Sequence, residues 1–169
     1  MLQKKMLDAL NEQINWEFYS AYLYLAMSAR FNALNMPGGA NWMNVQFQEE
    51  LSHALKFFTY VSDRGGEVKL GAIGEPPRDW KSGLEMFEVA LSHEQQVTKR
   101  IDKLADLALQ LKDHATLQLL QWFIAEQVEE EASAELLLGK FKLAQNQPGA
   151  LFQIDSEMAA RVFTPPAAA

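Results

Sequence analysis

Apolar residues recur along this chain in alternating steps of three and four, the period that gathers them on one face of an α-helix. The first such run covers residues 3–34, with Leu10, Ile14, Ala21, Tyr24, Ser28 and Phe31 on its inner stripe. It meets Asn35-Met36-Pro37-Gly38-Gly39, a cluster of helix breakers. The second run, residues 40–64, carries Met43, Phe47, Ala54, Phe57 and Val61, and Gly65-Gly66 ends it. Residues 68–82 hold Gly71, Gly74 and Pro76-Pro77 and are long for a loop in a compact domain. The third run, 83–111, reads Leu84, Phe87, Leu91, Thr98, Ile101, Ala105 and Ala108. After the short Lys112-Asp113-His114 connection, the fourth, 115–144, reads Leu120, Phe123, Ala134, Leu137 and Phe141. Past Gln147-Pro148-Gly149, a short amphipathic segment at 150–161 presents Leu151, Ile154 and Met158 on one side.

Hairpin, long connection, hairpin is the order of an all-α fold: a four-helix bundle with one long crossover, plus a short C-terminal fifth helix. Residues 1–169 are enough for one such domain. Four stripes already fill the bundle's core. The apolar side of the fifth helix is therefore expected to pack against other copies of the chain.

Six polar residues interrupt these stripes where apolar side chains belong. Glu17 and Glu94, Glu50 and Gln127, and His53 and Glu130 are each separated by 77 residues. A buried charge costs far more than it returns unless it is paired or holds a metal. On a helix, residues three apart share a face, so Glu50 with His53, and Gln127 with Glu130, each form a two-toothed ligand set. Glu17 and Glu94 each come singly from the partner helix of their hairpin. Any one glutamate on a helix is best read as a solvated residue. Six in register with apolar stripes, at one repeated offset, point instead to a dinuclear metal site. Four carboxylates balance two divalent cations, and a carboxylate shared between them, Glu50 by its place in the sequence, holds such ions about 3.5–4 Å apart.

Neighbouring residues are less decisive on spacing. Glu49, Glu126 and Glu129 suit either a solvated acidic face or further metal ligands, and Glu131 and Glu135 fit the solvated face. Tyr24 lies two turns after Glu17 and reads as a core tyrosine with a satisfied hydroxyl. Trp16, Trp42 and Trp122 read as packing. His93 points about 100° away from Glu94 around the helix and is expected to be structural or exposed.

Composition narrows the chemistry. Without cysteine there is no disulfide, zinc–thiolate site, iron–sulfur cluster or thiol nucleophile. The donors left, carboxylate, imidazole and amide, suit iron and manganese. A formal charge of −7 argues against nucleic acid as a partner. The longest apolar run, Ala21 to Met27, is far short of a membrane span. No signal-peptide core is legible at MLQKKMLDAL, so a cytoplasmic location is expected.

Three segments carry a family resemblance: NEQINWEFYSAYLYLAMS around Glu17, NWMNVQFQEELSHALKFFTYVSDRGG around Glu50 and His53, and LQWFIAEQVEEEAS around Gln127 and Glu130. Together they make the chain resemble the non-haem bacterial and archaeal ferritins over residues 4–166. The resemblance implies a ferritin-like four-helix bundle and an iron-storage protein with ferroxidase activity. It implies a diiron centre of Glu17, Glu50, His53, Glu94 and Glu130 with Gln127 beside the second iron, and Tyr24 adjacent. It also implies a third iron site completed by Glu49, Glu126 and Glu129, dioxygen or hydrogen peroxide as oxidant, and a hollow shell of 24 subunits. Bacterioferritins, by contrast, carry Glu-x-x-His on the fourth helix and a haem-binding methionine where this chain has Leu51, so haem is not expected. Rubrerythrins need a cysteine-rich module, and the DNA-protecting homologues place their iron site between subunits. The competing readings are a diiron oxidase acting on an organic substrate and a metal-free helical assembly protein.

Overall fold

The computed structural model describes residues 2–145 and 147–165. Five helices follow one another: α1 Lys4–Ala33, α2 Pro37–Asp63, α3 Gly83–Leu111, α4 His114–Ala144 and α5 Pro148–Met158. The two hairpins, α1 with α2 and α3 with α4, form the main packing interfaces, and α5 lies against α2 and α4. Every residue of the α1 and α4 stripes read from the sequence is buried. On α3 the buried face is rotated slightly, so that Met86, Ala90, Val97 and Leu104 go inside while Leu84, Leu91 and Thr98 are half-buried.

Local chemistry sets the helix ends. Ser82 caps α3 by accepting from the Glu85 amide at 3.2 Å, and Asp113 caps α4 through the Thr116 amide at 3.2 Å. The start of α2 departs from the sequence expectation. Pro37, Gly38 and Gly39 form its first turn rather than preceding it. Proline at the first helical position loses no hydrogen bond, because that amide has no partner within the helix. Both glycines are there for contact. A Cβ on Gly38 would lie 1.7 Å from the Asp155 carbonyl oxygen of α5, and one on Gly39 2.4 Å from the Phe31 ring. The Gly39 amide also donates to Asp155 Oδ1 at 2.8 Å.

This docking overturns the expected role of α5. Ile154 and Met158 are buried within their own chain, in one core cluster with Phe31, Trp42 and Phe141. The glycine turn opens a seat on the bundle that stripe counting does not reveal. The exposed apolar residue of α5 is Phe152.

The crossover is strapped along α1. Asn11 donates to the Glu67 carbonyl at 3.1 Å and accepts from the Lys69 amide at 2.7 Å. One turn on, Asn15 accepts from the Gly71 amide at 3.2 Å and donates to the Ala72 carbonyl at 3.1 Å. Arg30 then holds the Trp80 carbonyl at 2.6 Å, and the Trp80 side chain is buried. The core is consequently in two parts, one around Phe31, Phe87 and Phe141 and the other around Phe57, Ile101 and Phe123. Polar side chains occupy the level between them.

Candidate metal centre

That polar level holds the six residues singled out by the 77-residue offset. Glu17 comes from α1, Glu50 and His53 from α2, Glu94 from α3, and Gln127 and Glu130 from α4; each is 7 % exposed or less. Glu17, Glu50 and His53 each present a ligand atom, and the three lie within 4.8 Å of one another. His53 Nδ1 is 3.7 Å from Glu50 Oε2. Glu94 and Glu130 stand outside this tight group and are tied in by hydrogen bonds. Glu94 accepts from the Tyr24 hydroxyl and from Gln127 Nε2 at 3.2 Å. Glu130 accepts from Gln46 Nε2 at 2.5 Å, and the same nitrogen lies 3.4 Å from Glu50 Oε1.

The electrostatics are those of a cation trap. Burial, and then the nearby Glu50, push the Glu17 carboxyl up to about 8. Burial, and then Glu94, take Glu130 to about 8. Glu50 and Glu94 are raised well above the usual carboxylate range, first by burial and next by a neighbouring carboxylate, Glu130 for Glu50 and Glu50 for Glu94. Two buried carboxylate oxygens, Glu17 Oε2 and Glu50 Oε2, have no hydrogen-bond partner. Native interiors rarely leave such atoms unsatisfied without a functional reason. A hard divalent cation bound by oxygen and one imidazole relieves both the repulsion and the orphaned atoms, so the donor set fits iron.

The flanking acidic residues face an adjoining cleft of about 320 Å³. Glu49, Glu126 and Glu129 all line it, and Glu126 Oε2 is 4.0 Å from His53 Nε2. Glu49 is already paired with Arg161 of the C-terminal segment at 2.5 Å. Tyr24 is a buried tyrosine with a satisfied hydroxyl, and the acceptor is the Glu94 carboxylate. Trp122 is half-buried and meets His53 edge-on at 5.4 Å. His93 is buried, stacked 5.8 Å from Trp16, with Nε2 2.7 Å from the Ser20 hydroxyl. Glu131, read as solvated, is half-buried and accepts from Thr98.

The sequence pattern did not single out Gln13 and Gln46, which hydrogen-bond the carboxylates of Glu17, Glu50 and Glu130. A signal existed: each is a glutamine four residues before a stripe-breaking glutamate, one helical turn away on the same face.

Bundle and site together define a class, a four-helix bundle whose interior is built around a buried carboxylate-rich cluster able to hold metal. The ferritin-like domain profile of the ferritin family matches residues 7–144. A bacterial non-heme ferritin from Staphylococcus saprophyticus is 43% identical over 163 residues, covering 96% of this chain and 98% of that one. Its counterpart from Staphylococcus aureus strain USA300 is 39% identical with the same coverage. Among solved structures, an engineered closed form of Archaeoglobus fulgidus ferritin is 52% identical, with a TM-score of 0.95 over 97% of this chain and 100% of that one. The open-pore ferritin of the same archaeon is 51% identical, with a TM-score of 0.95 over 96% of this chain and 100% of that one. The chain belongs to the ferritin family, the iron-storage family. Among the described residues no helix is long and apolar enough to cross a membrane.

Proposed function

We propose that this protein oxidises ferrous iron at the Glu17–Glu50–His53–Glu94–Gln127–Glu130 centre and stores the ferric product. The observation that carries the reading is the pair of buried, partnerless oxygens, Glu17 Oε2 and Glu50 Oε2, inside a cluster of four mutually repelling carboxylates. Iron is the substrate. Two ferrous ions each lose one electron. Dioxygen takes the pair with two protons and leaves as hydrogen peroxide, or peroxide takes the pair with two protons and leaves as two waters. Four ionised carboxylates match the charge of two ferrous ions and hold the ferric products more strongly. Tyr24 and Gln127 orient Glu94, and Gln46 orients Glu50 and Glu130. Glu126, beside His53 and half in solvent, with Glu49 and Glu129, provides a further iron site between the centre and the open cleft.

Storage needs an enclosure, which one bundle does not make. A shell of 24 copies supplies it, and the ferric ions hydrolyse inside to an oxyhydroxide mineral. Exposed Tyr22 and Leu25 on α1, Leu70 and Ile73 in the crossover, and Phe152 on α5 supply apolar surface for the subunit contacts. The cytoplasm is the proposed location, in keeping with membership of the ferritin family.

Ferrous oxidation in air, followed by the near-ultraviolet ferric absorbance, tests the reading. Glu50→Ala and His53→Ala should slow the fast phase at least about 10-fold, the usual scale of disturbing a metal site. Unchanged rates would reject the site. Iron held at a fixed few ions per subunit after gel filtration, with no mineral core, would reject storage.

A further inference from the structure

Behind the ligands, the same three-part arrangement occurs twice. In the first, Arg100 of α3 donates through Nε to Gln13 Oε1 at 3.1 Å, and Gln13 Nε2 donates to Glu17 Oε1 at 2.8 Å. In the second, Arg161 donates to Gln46 Oε1 at 2.7 Å, and Gln46 Nε2 reaches Glu50 Oε1 and Glu130 Oε2. Each guanidinium lies over a tryptophan, Arg100 4.5 Å from the Trp16 ring centre and Arg161 4.3 Å from that of Trp42. Both glutamines are buried, at 1 % and 0 % exposure.

The repeat has a chemical logic. Arginine offers donors only, so the amide end turned toward it is the carbonyl. The NH2 end is then forced toward the carboxylate. A reversed amide would oppose donor to donor on one side and acceptor to acceptor on the other, both in a buried setting where such mismatches are costly. With Oε1 of Glu17 and of Glu50 engaged by a glutamine, the oxygens left over are Oε2 of each, the two orphaned atoms.

We propose that Arg100 and Arg161 are positioning residues of the metal centre. Acting through Gln13 and Gln46, each of which engages one carboxylate oxygen, they fix the orientation in which Glu17 and Glu50 present the free oxygen to the metal. This rests on the metal-centre reading above. Neither arginine touches metal. Arg161 also pairs with Glu49, whereas Arg100 hydrogen-bonds only Gln13 among the residues of the centre, so Arg100 gives the cleaner test.

The full-length protein, stripped with chelator, is titrated with cobalt(II). The ligand-field band that His53→Ala abolishes reports the Glu17–Glu50–His53 group. Arg100→Met and Gln13→Met should each weaken cobalt binding about 10-fold, the lower end of the cost of removing a group that orients a ligand. The double variant should be no weaker than the worse single one, because both break the same chain of contacts. Arg100→Lys should recover most of the affinity and the band shape. If Arg100→Met loses helicity by circular dichroism, Arg100→Gln takes its place in the cycle. Unchanged affinity in the arginine variant overturns the proposal, and so does a double variant whose loss is the product of the two single losses. Absence of any His53-dependent band in the unmutated protein removes the metal-centre reading and the relay together.

Discussion

Replacing Glu17 by glutamine should stabilise the metal-free protein while weakening its hold on metal. Glu17 is fully buried, and its carboxyl moves from 4.5 to about 8 on folding. A carboxyl whose pKa is higher in the folded chain than in the unfolded chain costs nothing below the unfolded value. The cost grows as pH rises above 4.5 and is complete above about 8. At roughly 1.4 kcal/mol per pH unit, the penalty at pH 7 is on the order of 3 kcal/mol. Glutamine keeps an oxygen that accepts from Gln13 but never ionises, so it removes the penalty and retains the hydrogen bond. Urea denaturation in the presence of chelator, at matched protein concentration from pH 5 to pH 8.5, measures the difference. The variant's advantage should be below about 1 kcal/mol at pH 5 and should increase steadily to pH 8. Added metal should reverse the order at pH 7, since a ligand at 1,000 times its Kd stabilises the unmutated protein by about 4.1 kcal/mol, more than the penalty. A pH-independent difference, or a Glu17→Gln protein less stable in chelator at pH 8, would refute the reasoning.

Other outcomes follow from single contacts. His93, lowered to about 4 by burial, has to remain neutral in the fold. Its contribution is complete above pH 6.5 and is lost as the pH falls toward 4, by about 3 kcal/mol, so His93→Gln should flatten the acid limb of the stability curve. Gly38→Ala forces a methyl into the Asp155 carbonyl, and the cost of about 1–3 kcal/mol should appear as a lowered Tm and as proteolysis of α5. Asn11→Ala should accelerate amide exchange at Lys69 and cost about 1 kcal/mol in urea, with protection at Gly71 retained through Asn15.

The helices were legible because their stripes keep the helical period, and the buried cluster of six polar residues because they violate those stripes at one repeated offset. The start of α2 was not, because a Pro-Gly-Gly run signals a breaker by composition. What decides it is a contact from α5, more than a hundred residues away. The seat of α5 was hidden for the same reason: a Cβ that is missing leaves no mark in a hydrophobic pattern. The crossover was legible as long, but its attachment depended on Asn11 and Asn15, which no feature of the hydrophobic pattern singles out. His93 was placed as structural or exposed, and Ser20, the partner that keeps it inside, lies on another helix. Gln13 and Gln46 were within reach of sequence reasoning, whereas Arg100 and Arg161 come from other elements. Only folding joins them to their glutamines.

The division of the core into two apolar parts bears on how the molecule melts. Cooperativity in a small domain comes from one continuous network of contacts, so that no portion loses structure alone. Here the network is interrupted at mid-height by groups that repel one another when no cation is present. The end around Phe57 and Phe123 and the end around Phe31 and Phe141 are therefore coupled mainly by the helices that run through both. A bound metal turns the repelling level into a crosslink among four helices. Metal bound at the proposed centre should sharpen the transition, and a rise in the ratio of van't Hoff to calorimetric enthalpy on metal addition is the measurement that checks it.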